Sequence, residues 1–229
     1  MCYLFISLIN LPHFQQDEAV WWFIPIIVYS AIWGGVSGII IGLICEWLIP
    51  VKGHSLAVLG MQGAGKTQFL SNIRNIDYNE YSATLGEEKY EKFKTKIGNR
   101  EVTIEGGMDI PGGPEYIKDY YKVLVDKNEI IFFIFNSYDY LNNRDYRNET
   151  QARLDLIFDL IEGKGKSTML FGTFADRFKD DSERREAYNR IKESVSNKSY
   201  YPLFKSNYAI LDMRNKKELN EKILLDIFK

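Results

Sequence analysis

The strongest constraint on what this chain can fold into is the run SLAVLGMQGAGKT at residues 55–67. Its first half is a short apolar stretch of the kind that forms a buried strand. Its second half, Gly60 to Thr67, satisfies G-x-x-x-x-G-K-[ST] and leads into the helical run TQFLSNIRN. The chemistry needs these residue types. Glycines let the backbone wrap around an anion with N–H groups facing inward, and the following helix turns its positive end toward it. The Lys66 ammonium supplies a point charge for the β- and γ-phosphates of a nucleotide, and the Thr67 hydroxyl can ligate Mg²⁺. A chance match arises in roughly one such chain in a hundred from residue frequencies, and chance does not favour a place between a strand and a helix. The expected phosphate contacts are Gly60, Gln62, Gly63, Ala64, Gly65, Lys66, Thr67 and Gln68.

The rest of residues 52–229 alternates between strand and helix patterns. Residues 76–88 read as a polar loop containing Ser82 and Thr84. The extended runs KYEKFKTKIG and REVTIEGGMDI, joined at Gly98-Asn99, predict an antiparallel hairpin whose second strand ends in Asp109-Ile110-Pro111-Gly112-Gly113. EIIFFIFNSY (129–138) is a fully buried strand pattern, and DYLNNRDYRNE (139–149) reads as a long polar loop. ARLDLIFDLIEG (152–163) has apolar residues at helical spacing and stops at a glycine. Strands follow at STMLFGTFAD (167–176) and NYAILDM (207–213), then a last amphipathic helix. This alternation predicts an α/β domain, doubly wound around a mostly parallel six-stranded sheet with one antiparallel edge strand.

In order and separation these motifs resemble those of small GTPases of the Ras-like and Arf-like kind, over roughly residues 54–229. The resemblance implies that Asp109 holds Mg²⁺ through water and that the Gly112 amide senses a γ-phosphate. It makes Thr84 the switch threonine that closes on the metal, with Ser82 the second candidate because the loop fixes no register. It also places base recognition at Thr173-Phe174-Ala175-Asp176, where the family carries N-K-x-D or T-K-x-D. An Asp there accepts two hydrogen bonds from guanine's ring and exocyclic nitrogens, which adenine cannot supply. Phe174 replaces the family's Lys, whose stem covers the base, and an aromatic ring is suited to stack there. The family's final S-A motif is missing, and Asp212-Met213-Arg214 occupies the region. The implied ligands are GTP or GDP with Mg²⁺.

The same resemblance argues for slow turnover. Gly113 stands where relatives carry a water-positioning Gln or His, and Gln62 stands where many keep a glycine and bulk obstructs an arginine finger. The catalytic residue stays unassigned, and Gln68, the 139–149 loop or a partner would have to orient water. Three functions stay open. One is a slow GTPase switch, and another is a GTP-bound docking or adaptor subunit that rarely turns over. The third is an ATP-dependent P-loop enzyme, against which Asp176 argues.

Residues 1–51 are unlike the rest: they contain no Lys or Arg. From Phe23 to Cys45 there is no charge, Trp21 and Trp22 precede the run, and Trp47 follows it, which predicts one transmembrane helix over about residues 21–48. Asp17 and Glu18 precede the span and Lys52 follows it, so the positive-inside rule puts residues 52–229 in the cytoplasm. Ser30, Gly34, Gly38 and Gly42 recur every four residues, a face suited to self-association in the membrane. The layout of one span followed at once by the nucleotide-binding domain resembles the beta subunit of the signal-recognition-particle receptor, and the short linker implies a membrane-proximal effector. A net charge of −2 gives no electrostatic basis for binding nucleic acid.

Overall fold

The structure, a computed structural model, describes residues 53–76, 86–97 and 100–219. All of them belong to the compact unit Lys52–Lys229. The expected span at 21–48, its small-residue face, Ser82 and Thr84 lie outside the described residues. Among the described residues no helix is long and apolar enough to cross a membrane.

The first strand, β1 (Leu56–Gly60), is buried at every position, and α1 (Lys66–Ile73) follows the phosphate loop. Next come β2 (Glu88–Tyr90), β3 (Phe93–Ile97), β4 (Arg100–Ile104) and β5 (Gly107–Asp109). A π-helical turn at Ile117–Tyr121 runs into α2 (Lys122–Lys127), and β6 (Ile130–Asn136) follows. The chain continues through α3 (Ser137–Asn142), α4 (Arg144–Ile161), β7 (Ser167–Thr173) and a 3₁₀ turn at Ala175–Arg177. It then forms α5 (Asp181–Ser194), α6 (Tyr201–Ser206), β8 (Tyr208–Ile210) and α7 (Lys216–Leu219).

The centre is a four-stranded parallel sheet in the order β1-β6-β7-β8. Its strands LAVLG and IIFFIFN are unbroken apolar runs because helices cover both faces, leaving no polar side to alternate with. Phe69 of α1 is fully buried and packs 4.8 Å from the ring of Phe132 and 5.5 Å from that of Phe171. This aromatic cluster fixes the helix that carries Lys66 and Thr67 against β6 and β7.

The expected hairpin forms in two stretches. Glu88↔Asp109 and Tyr90↔Gly107 pair in β2–β5, while Phe93↔Ile104 and Ile97↔Arg100 pair in β3–β4. All four pairs fall on one register, so a single hairpin is interrupted at 91–92 and 105–106. Its turn, Gly98-Asn99, is outside the described residues. The hairpin joins β1 at His54, whose N–H donates to the Thr103 carbonyl at 2.8 Å and whose carbonyl accepts from Glu105 N–H at 3.0 Å. The six-strand expectation therefore resolves into a four-stranded parallel sheet and a hairpin joined to it by one bridge.

Residues 139–149 are not a loop. They are the end of α3 and the start of α4, and α4 begins eight positions before the Ala152 expected from the apolar spacing. The reason lies in two asparagines. The Asn136 side chain caps α3 by accepting from Tyr138 and Asp139 N–H, and that of Asn143 caps α4 by accepting from Asp145 and Tyr146 N–H. The first turns of α4 are polar because they face solvent, which hid them from a search for apolar periodicity.

Truncating Phe69 to Ala should cost roughly 3–5 kcal/mol, the range for a large aromatic removed from a core. Denaturant unfolding of the full chain, followed by far-ultraviolet circular dichroism, checks this. A loss under 1 kcal/mol would mean that the cluster does not anchor α1.

Candidate nucleotide-binding site

The phosphate loop starts where β1 meets β6. Gly60 has φ 142°, and a β-carbon there would lie 2.0 Å from the Ile134 carbonyl oxygen, so only glycine fits. The Met61 N–H then bonds the same carbonyl at 3.0 Å. Gly65, with φ 90°, takes the left-handed turn directly before α1. The Lys66 ammonium folds back over the loop and donates to the Met61 carbonyl at 3.0 Å. It is only 6% exposed. Burial pushes its pKa down to about 8; the charge of Asp109 opposes this and that of Arg153 adds to it.

Asp109 arrives at the end of β5, opposite Glu88 in the hairpin. Its Oδ2 accepts from the Thr67 hydroxyl at 2.8 Å, while its buried Oδ1 has no protein partner. Burial raises its pKa, against the opposing Thr67 hydrogen bond and Lys66 charge. A hydroxyl, a carboxylate and an orphaned acceptor are the donor set that suits a hydrated hard cation. Among the described residues no group of three His, Cys, Asp or Glu could hold a metal alone. A cation here would complete its oxygen shell with phosphate and water, as Mg²⁺ does with nucleotides.

Pro111, Gly112 and Gly113 are buried beside the loop. A β-carbon on Gly112 would come within 2.4 Å of Gln62 N and 2.5 Å of the Met61 carbonyl carbon, so the D-x-P-G backbone sits directly on the phosphate loop. Around Gly113, the space a side chain would take is filled by the carboxylate of Glu115, with Oε1 2.3 Å from the ideal β-carbon position. Gln62 is exposed at the loop's tip. Gln68 is turned along its own helix, donating to Asn72 Oδ1 at 3.1 Å.

The base end lies at the carboxyl ends of β7 and β8, the edge where doubly wound sheets hold ligands. Thr173 is buried and its hydroxyl donates to the Phe135 carbonyl at 3.1 Å, which fixes the strand end. Phe174 adopts φ 61°, uncommon for a bulky side chain, and turns the chain into the 3₁₀ turn that carries Asp176. An Asp176 oxygen lies 2.8 Å from the guanidinium of Arg214, which also pairs with Asp212 at 3.1 Å. The two ends meet at Met213, whose carbonyl accepts from Asn72 of α1 and whose Cγ would be 3.7 Å from a β-carbon on Gly65.

One residue at the heart of the site escaped the sequence reading. Arg153 of α4, 3% exposed, donates from Nη1 to the carbonyls of Gly112 (2.8 Å) and Gly60 (3.1 Å). The available signal was its helical spacing, three residues after buried Thr150 and four before buried Ile157. That places a cation on the core face of the helix.

The Lys66 shift has a sign that can be tested. Its folded pKa, about 8, lies below the 10.5 of an ordinary lysine, so the unfolded chain binds more protons between these values. The burden on stability is present below pH 8 and is relieved as pH rises toward 10.5, by roughly 3 kcal/mol at most. Anion binding needs the charged form, so phosphate-ligand affinity should fall above pH 8, by up to about a decade per pH unit. Titration calorimetry at pH 7.5 and 9.5 checks this, and an affinity independent of pH would show that Lys66 stays charged throughout.

No family model matches the chain. Over 97 residues it is 31% identical to the ADP-ribosylation factor-like protein alp41 of Schizosaccharomyces pombe. That stretch is 42% of this chain and 48% of the relative, so the chain spans about half the length of the curated relative it matches.

Proposed function

We propose that this chain is a guanine-nucleotide-binding protein of the small GTPase kind, loading GTP or GDP with Mg²⁺ and acting as a slow switch at a membrane. The observation that carries the reading is the contact of Thr67 with Asp109 beside the buried ammonium of Lys66, with one Asp109 oxygen left over. The parallel-sheet α/β fold and the likeness to an ADP-ribosylation factor-like protein support the same family.

Each residue has a task in this reading. The loop amides from Gln62 to Thr67 and the start of α1 hold the phosphates, and Lys66 neutralises their β- and γ-oxygens. Thr67 and, through water, Asp109 would hold Mg²⁺, which would supply positive charge against the phosphate oxygens. Thr67 offers a direct ligand and Asp109 an acceptor for the cation's water, while Thr84 is the proposed threonine of the switch loop. The Gly112 amide faces the γ-phosphate. Asp176 reads the base: guanine's N1–H and exocyclic amine present two donors side by side on a planar edge for its two carboxylate oxygens, one of which takes a guanidinium N–H of Arg214 here. Adenine lacks that pair of donors. Phe174 supplies the ring over the base.

Hydrolysis needs a group that orients water, and Gly113 has none to offer. The Glu115 carboxylate, filling the space a side chain at 113 would occupy, is the nearest substitute in the described residues. It can accept a hydrogen bond from water but cannot donate one as Gln does, which agrees with slow turnover. The docking or adaptor subunit remains the second reading, favoured by the lack of a side chain at Gly113. In either, the residue 21–48 span would fix the domain on the cytoplasmic side near a membrane-bound partner, with Ser30, Gly34, Gly38 and Gly42 available for pairing of two copies.

The test is binding and turnover by the full chain with GTP, GDP and ATP. Mg²⁺-dependent, GTP-selective binding is expected, abolished by Lys66→Ala and shifted toward ATP tolerance by Asp176→Ala. Equal affinity for ATP in the unaltered chain would sink the guanine assignment. Phosphate release should be slow and should fall about tenfold or more in Glu115→Ala, within the range for a positioned acid or base. If release is undetectable while GTP binds tightly, the docking role replaces the switch.

A further inference from the structure

Arg153 joins two stretches of backbone that the site requires to stay together. Its Nη1 donates to Gly112 O at 2.8 Å and Gly60 O at 3.1 Å, and lies 3.3 Å from the Tyr121 hydroxyl, which accepts from Gly60 N–H. Its Nη2 pairs with Glu149 one turn earlier on α4, and its buried Nε has no partner. Every one of these partners is a protein group, so the tie between Gly112 and the phosphate loop requires no nucleotide. The Gly112 backbone that it holds lies close against Gln62. The hold is taken through the carbonyl of Gly112, and the amide plays no part in it.

We propose that Arg153 is a positioning residue for γ-phosphate recognition: it keeps the Gly112 peptide seated on the phosphate loop whichever nucleotide is bound. The proposal rests on the reading of Gly112 as the γ-phosphate sensor. A ligand that touches a segment binds in proportion to the fraction of molecules in which that segment is already in place. Arg153 holds that fraction near one, so GTP gains the Gly112 contact without first having to draw the segment in. GDP makes no such contact, so its affinity should depend on the clamp less than that of GTP does. A lysine at 153 keeps the charge but has one nitrogen in place of a planar fork, so it cannot set one donor group on the two carbonyls and a second on Glu149, as Nη1 and Nη2 do.

The experiment compares the full chain with Arg153→Lys and, as the milder variant, Glu149→Gln, which removes the exposed partner of the guanidinium. Two quantities are read: the dissociation constants for GTP and GDP, and hydrogen exchange of residues 107–113 without nucleotide and with each. The wild type should show the segment equally protected in all three states. In Arg153→Lys the GTP affinity should fall about tenfold and the GDP affinity by clearly less, the signature of a lost competent fraction at Gly112. Exchange at 107–113 should rise without nucleotide and with GDP, and be restored by GTP. Glu149→Gln should move the same way by less, and it carries the test if the lysine variant does not fold. Parallel weakening of GTP and GDP, or no change in either, would overturn the role of Arg153. A wild-type chain that binds neither nucleotide would instead remove the nucleotide reading beneath it.

Discussion

Three charged side chains are buried among the described residues, and all three are at this one site: Lys66, Asp109 and Arg153. Taking an ion out of water costs several kcal/mol even after the surroundings relax, and a fold accepts that only where something returns it. Here the balance among the protein's own groups is incomplete. Lys66 acts on the one buried carboxylate, Asp109, whose pKa burial still raises, and the Glu149 partner of Arg153 is 44% exposed. On the nucleotide-binding reading, a bound phosphate would complete that balance. Burial is the main cause of the lowered pKa of Lys66, and a bound phosphate would oppose it.

The fold exists to bring these charges into register. Parallel pairing of β1 with β6 puts Gly60 on the Ile134 carbonyl, and that contact fixes where the loop departs. The hairpin delivers Asp109 because one register runs through both of its stretches, and a slip of one residue would turn the carboxylate to the opposite face. Helix α4 supplies Arg153 from behind, and its start at Asn143 sets the helical phase that aims residue 153 inward. Each of the three charges thus depends on a different piece of secondary structure, and Phe69 ties α1 to the sheet beneath them.

The phosphate loop was legible in the sequence because its glycines are demanded by backbone geometry, which leaves no freedom of choice. Asp109 was legible because a hairpin pattern places its end. Arg153 was not, since an arginine on an amphipathic helix normally extends its stem along the surface and keeps its charge in water. Only the carbonyls of Gly60 and Gly112, distant in sequence, show why this one is buried. The stretch 139–149 misled for a related reason: solvent-facing helical turns and loops share the same polar composition, and two asparagine caps distinguish them only once their acceptors are seen. At the expected base end, the Thr173 hydroxyl is bonded to the Phe135 carbonyl of the sheet, and Arg214 stands in the region of the missing S-A motif, where the sequence offered no role for it.

The segment Pro111-Gly112-Gly113-Pro114 combines opposite tendencies. The glycines give it more freedom in the unfolded chain than any other residues would, and the prolines remove some of it at either side. A glycine at 112 is forced by the closeness of Gln62, but Gly113 has only the mobile end of Glu115 against it and could carry a side chain if that carboxylate moved. A family-like Gln at 113 would thus displace Glu115 without disturbing the backbone that Arg153 holds. On the proposed reading, seating and water positioning would be separable in this chain: the first carried by a buried guanidinium, the second by whatever fills one adjustable space. A protein built this way would keep GTP recognition while turnover is tuned, or given up, by changes at 113 and 115 alone.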